Sequence, residues 1–145
     1  MTRILATGTF DILHPGHLFY LSQAAALGDE LYVIVARASM IKHKPKPLLP
    51  DEHRLEMVQA LKLVDHAVIG SETDIFEPLY EIMPDIIALG FDQYFNTENL
   101  KKELADRGFT AGVVRVGETN SGKLCSTRRI VERIVDVNRE FSGSG

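Results

Sequence analysis

The chain has 145 residues, enough for one domain with a real core, and its 45% hydrophobic and 25% charged content is that of an ordinary globular protein. A formal net charge of −4 excludes general affinity for nucleic acid, so any anion site must be a local cluster of positive charge. Cys125 is the one cysteine, so no internal disulfide can form and a reducing cytoplasm is expected. The start MTRILATGTF is not built like a signal peptide, and no apolar run approaches membrane-spanning length.

Five short runs read as strands: RILAT (3–7), ELYVIVA (30–36), HAVIG (66–70), DIIALG (85–90) and GVVRV (112–116). They are apolar almost throughout, as parallel strands covered on both faces must be. Helical patterns lie between them. Pro15 suits the first turn of a helix reaching about Leu27. Asp51 is placed to cap a helix over 52–64, and Thr97 to cap one over 98–108. In the last helix, Ile130, Ile134, Val137 and Phe141 form one stripe, with Ser126 or Thr127 as cap. Alternating strands and helices predict a single α/β Rossmann-like doubly wound domain over 1–141 with a five-stranded parallel sheet. The last four residues, SGSG (142–145), read as a flexible tail.

In such a sheet ligands bind beyond the carboxyl ends of the strands, so the segments that follow each strand carry the chemistry. After the first strand comes GTFDILHPGH (8–17). Gly8 permits a tight turn, and Thr9 and Phe10 can present backbone N–H groups. Pro15 and Gly16 open a helix whose N-terminus favours anions. His14 and His17 sit beside that end, where a phosphate would favour their protonated, donating forms. A turn needs Gly or Pro but not two imidazoles, so the pattern points to phosphate chemistry. The spacing does not suit zinc, since no further Cys or His ligand is near.

After the second strand, Arg37, Lys42, Lys44 and Lys46 form a basic loop with no acid before Asp51, a candidate triphosphate clamp. After the fourth, Asp92 can accept from ribose hydroxyls or a base, and Phe91, Tyr94 and Phe95 either stack on a ring or pack in the core. After the fifth, GETNSGK (117–123) has P-loop spacing, but Leu124 stands where a magnesium-binding Ser or Thr is required. The useful part lies downstream, where Ser126 and Thr127 begin the last helix and Arg128 and Arg129 add charge. A dinucleotide G-x-G-x-x-G is absent after the first strand, which argues against a dehydrogenase.

His14-Pro15-Gly16-His17 resembles the H-x-G-H signature of the cytidylyltransferase-like nucleotidyltransferase superfamily, and LCSTRRI (124–130) resembles its second signature. The two bracket nearly the whole chain. Relatives acting on glycerol 3-phosphate carry an arginine shortly before the second signature, where this chain reads TNSGK with Lys123 as the only cation. Within the superfamily the chain is most similar to the short archaeal FAD synthases, on its length, VIVAR (33–37), the lysine loop, LGFDQ (89–93) and CSTRRI (125–130).

The resemblance implies ATP and FMN as substrates, a divalent metal cation such as Mg bound through the nucleotide phosphates, and a cytoplasmic homodimer. It implies direct in-line attack of the FMN phosphate on the α-phosphorus of ATP. ATP would lie over Thr9 and Phe10, with its phosphates against His14, Pro15, Gly16 and His17. Asp92 would lie by the nucleoside, Ser126 and Thr127 at the phosphates, and Lys44 or Lys46 would close over them. Two alternatives stay open: a cytidylyltransferase or adenylyltransferase for glycerol 3-phosphate or another small phosphate or sugar phosphate, and a nucleotide-sensing domain without catalysis.

Overall fold

The structure, a computed structural model, describes residues 1–42, 44–90, 96–116 and 127–143. In chain order it runs β1 (Arg3–Gly8), α1 (Pro15–Ala25), β2 (Glu30–Val35), a 3₁₀ turn (Ala38–Met40), α2 (Asp51–Gln59), β3 (His66–Ile69), α3 (Leu79–Ile82), β4 (Ile86–Leu89), α4 (Thr97–Asp106), β5 (Gly112–Arg115) and α5 (Thr127–Gly143). All strand pairs are parallel, in the order β3-β2-β1-β4-β5. The α/β Rossmann-like sheet expected from the sequence is therefore present.

Period-two alternation divides the apolar strand residues between two layers. Ile4, Ala6, Val33 and Val35 face Leu21 and Ala24 of α1 and Val58 of α2. Leu5, Ile34, Ile87 and Leu89 face Leu79 and Ile82 of α3 and Leu104 of α4. Each fully buried Leu, Ile or Val contributes about 1.5–3 kcal/mol relative to exposure, so two filled faces hold the sheet between its helices.

Several boundaries differ from those read in the sequence. Asp51 is the first residue of α2 rather than its cap, and Pro50 precedes it. Proline locks φ near −65° and leaves Asp51's carboxylate free for other partners, described below. The same helix ends at Gln59, and Leu61, Leu63 and Val64 pack on the core from a turn instead of continuing it. Asn96 caps α4 by accepting from the Asn99 N–H at 3.1 Å, which makes Thr97 the first helical residue. The one-turn α3 has no counterpart in the sequence reading, because four residues are too few to show a 3.6-residue period. At the other end of the chain α5 runs to Gly143, past Phe141.

The sheet changes direction at β1. Strands β2 and β3 were added on one side of it, and β4 and β5 on the other. On the β2 side, β1 stays paired to its last residue, Gly8 opposite Val35. On the β4 side pairing stops at Ala6 opposite Ala88. The sheet therefore splits at the carboxyl ends of β1 and β4, and that split is the crevice where such folds take their ligands.

Candidate active site

Tyr20 fills the base of the split. Its hydroxyl accepts from the Thr7 N–H at 3.1 Å and donates to the Ala88 carbonyl at 2.6 Å. The hydroxyl thus bridges the two strands where their direct ladder ends, and satisfies backbone groups the parting would otherwise expose. Tyr20 lies on α1 three residues after His17, so the same contact fixes α1 against the mouth of the crevice.

Above it the chain turns through Gly8, Thr9 and Phe10. Phe10 has a positive φ of 52°, rare for a residue with a side chain, and its ring is 2% exposed. A Cβ on Gly8 would lie 2.9 Å from that ring, so the aromatic at position 10 requires glycine at position 8. Strain of this kind persists only where surrounding contacts over-determine it. Here the ring is held in the core and meets the His17 ring at a centroid distance of 5.3 Å.

The two histidines close the start of α1 together. His14 is the N-cap, in extended conformation, and its Nδ1 accepts from the Gly16 N–H at 3.1 Å. Three residues on, Nδ1 of His17 reaches back to accept from the His14 N–H at 3.3 Å. This is a reciprocal capping box built from imidazoles in place of the usual Ser and Glu. It has a chemical consequence. An Nδ1 that accepts carries no proton, so each neutral ring bears its proton on Nε2. The helix cap thereby sets both tautomers and leaves Nε2–H as the donor of each ring.

The rings are stacked, with centroids 3.8 Å apart and planes 24° from parallel. Burial pushes the His17 imidazole down to about 3 from its ordinary 6.5, helped by the neighbouring His14 ring and the Lys44 ammonium. The sequence suggested two charged donors. In the ligand-free protein His17 is instead a neutral Nε2–H donor, because a cation there would be partly desolvated and would face two other basic groups.

The basic loop after β2 separates into parts. Arg37 donates from Nε to the Gly70 carbonyl at 2.6 Å and lies 3.5 Å from Glu72 and 3.8 Å from Asp51, so it ties β2 to β3. Lys46 donates from Nζ to the carbonyls of Ala38 at 2.6 Å and Ile41 at 2.9 Å, holding its own loop in shape rather than reaching for a ligand. Lys44 is exposed and close enough to His17 to act on it electrostatically. Of these two lysines, Lys46 is held by carbonyls of its own loop, while the charge of Lys44 bears on His17.

Two site-building residues escaped the sequence reading. Arg54, on α2, is 0% exposed and donates to the carbonyls of Thr9 (2.9 Å), Ala36 (2.7 Å) and Leu49 (3.0 Å), while pairing with Asp51. Asp11 is 8% exposed and accepts from the N–H groups of Leu48 at 2.7 Å and Leu49 at 2.9 Å. Asp11's partners lie 37 and 38 residues away in sequence, and Arg54 reaches back 45 residues to Thr9 and 18 to Ala36, which no local pattern encodes. Phe91, Asp92, Tyr94, Phe95, the 117–123 run, Cys125 and Ser126 lie outside the described residues; Thr127 is the first residue of α5. Among the described residues no three His, Cys, Asp or Glu side chains are grouped to hold a metal ion, and no helix is long and apolar enough to cross a membrane.

The helix start at the switch point of this 3-2-1-4-5 sheet, with two tautomer-fixed histidines beside it, has the form of a nucleotidyltransferase site. The chain belongs to the cytidylyltransferase-like family, whose model matches residues 5–133. More particularly, it is 60% identical over 139 residues to an FAD synthase of Methanohalophilus mahii, covering 96% of this chain and 98% of that one. An FAD synthase of Methanosarcina barkeri is 62% identical over 135 residues, covering 93% and 97%. Among solved structures, the lipopolysaccharide core biosynthesis protein of Thermoplasma volcanium superposes with a TM-score of 0.79 at 41% identity, covering 83% of this chain and 99% of that one.

Proposed function

We propose that the protein transfers AMP from ATP to the phosphate of FMN, giving FAD and pyrophosphate. A phosphate oxygen of FMN attacks the α-phosphorus of ATP. The bond from that phosphorus to the oxygen bridging the α- and β-phosphates breaks, and pyrophosphate leaves with the electron pair. No covalent enzyme intermediate is needed, so catalysis is positioning plus stabilisation of charge on the phosphoryl oxygens.

ATP lies over Thr9 and Phe10 in the split between β1 and β4, with its phosphates at the N-terminus of α1, where Pro15 and Gly16 let them approach. His14 and His17 donate from Nε2 to the oxygens that gain charge. Lys44 closes from the loop side, and Ser126 and Thr127 bind phosphates at the start of α5. Asp92 accepts from the nucleoside. A divalent cation would arrive on the nucleotide's own phosphates, where it neutralises the polyphosphate. The homodimer expected from the resemblance is supported by the exposed apolar residues of α5, Ile134 at 58% and Val135 at 43%.

The observation that carries this reading is the imidazole capping box, which aligns two Nε2–H donors at an anion-binding helix start. Its test is a pyrophosphate-release screen, with mass detection of product, that crosses ATP and CTP with FMN, glycerol 3-phosphate, ethanolamine phosphate, phosphopantetheine and sugar phosphates. FAD from ATP and FMN is the expected product. Turnover with CTP alone would overturn the substrates and leave the reaction class standing.

A further inference from the structure

The turn that leads to the histidines and the loop that carries the lysines are stitched together by two side chains, Asp11 and Arg54, that touch neither nucleotide nor acceptor in the scheme above. The turn after β1 contributes Thr9 and Asp11. The loop after β2 contributes Leu48 and Leu49, four and five residues beyond Lys44. Asp11 spends both carboxylate oxygens on that loop, Oδ2 on Leu48 N–H at 2.7 Å and Oδ1 on Leu49 N–H at 2.9 Å. Arg54 reaches both sides at once, with Nη1 on the Thr9 carbonyl at 2.9 Å and Nε on the Leu49 carbonyl at 3.0 Å. The same Nη1 holds the Ala36 carbonyl at 2.7 Å, where β2 runs out.

A guanidinium with no exposed surface is costly to desolvate, so its place in the fold calls for a reason. What the guanidinium does here, and an apolar group could not, is join carbonyls of three separate segments at the ligand end of the sheet. We propose that Asp11 and Arg54 are positioning residues that latch the lysine loop to the phosphate cradle and thereby set the place of Lys44 relative to His17. This rests on the adenylyl-transfer reading for its consequence, while the latch itself is a property of the free protein.

The test uses Asp11→Asn, which keeps the shape of the side chain but turns an NH₂ toward one of the two amides. Hydrogen exchange followed by mass spectrometry on residues 44–50, without substrate, should be about tenfold faster in the variant, the effect of one lost hydrogen bond. Circular dichroism establishes that the variant is folded. With ATP and FMN, Asp11→Asn should lower kcat/KM for ATP about tenfold. Lys44→Ala should lower it further, and the double variant should be no worse than Lys44→Ala alone, because a lysine that is already absent has no position to lose. Arg54→Lys keeps the charge but cannot span the three carbonyls, and should show the same non-additivity with Lys44→Ala.

Unchanged exchange in 44–50, or a double variant whose loss is the product of the single losses, would overturn the latch. If wild type makes no FAD, the reading of the reaction has failed. The exchange measurement, which needs no substrate, then decides the latch separately.

Discussion

Replacing His17 with asparagine tests how strongly the site resists a charge. The ordinary pKa of the ring is 6.5 and the fold holds it at about 3. Between those values the unfolded chain binds a proton that the folded ring refuses, so the folded state loses ground as pH falls. Above pH 6.5 the contribution is complete and constant. Below it, each pH unit removes about 1.4 kcal/mol, which comes to about 2 kcal/mol by pH 5. His17→Asn retains a side-chain oxygen that can accept from the His14 N–H, so the helix cap survives while the titration is removed. The assay is urea unfolding at pH 7 and pH 5 in phosphate-free buffer, comparing wild type with the variant. Wild type should lose about 2 kcal/mol more than His17→Asn over that interval, the other groups cancelling in the difference. An equal loss in both would mean that His17 titrates normally and that the neutral-donor account is wrong.

Two other perturbations probe the frame around the cradle. Arg54→Leu leaves Asp51 and three carbonyls without their guanidinium, and should destabilise the fold by about 3–5 kcal/mol, read as a lower urea midpoint. Tyr20→Phe removes the hydroxyl that bridges Thr7 and Ala88 at the floor of the split, which should cost about 1–3 kcal/mol in the same assay and raise KM for ATP. A variant as stable as wild type in either case would remove that residue from the account.

Much of this molecule could be read from its residues, and the exceptions have physical causes. The five strands were visible because parallel strands buried on both faces are apolar end to end. Their spatial order was not, since β1 carries no mark saying that β4 will pair with it on the side away from β2 and β3. His14 and His17 stood out because a turn has no need of imidazole. The tautomers they adopt depend on hydrogen bonds between positions 14, 16 and 17, and these could be recognised only once the capping geometry was known. Arg54 resembles any helix-face arginine in EHRLEM, yet the side chain lies wholly inside the fold. Its purpose is set by carbonyls brought from Thr9, Ala36 and Leu49, which is tertiary information. Lys44 and Lys46 are equivalent in sequence, and only the carbonyls of Ala38 and Ile41 distinguish them.

The central claim is that tautomer-fixed histidines at the start of α1 stabilise charge during adenylyl transfer to FMN. The most direct measurement is the steady-state turnover of His17→Ala with saturating ATP and FMN, alongside its circular dichroism spectrum. Loss of one preorganised donor predicts a fall in kcat of about 10²–10³ with the fold intact. A folded His17→Ala enzyme turning over within a few-fold of wild type would contradict the claim.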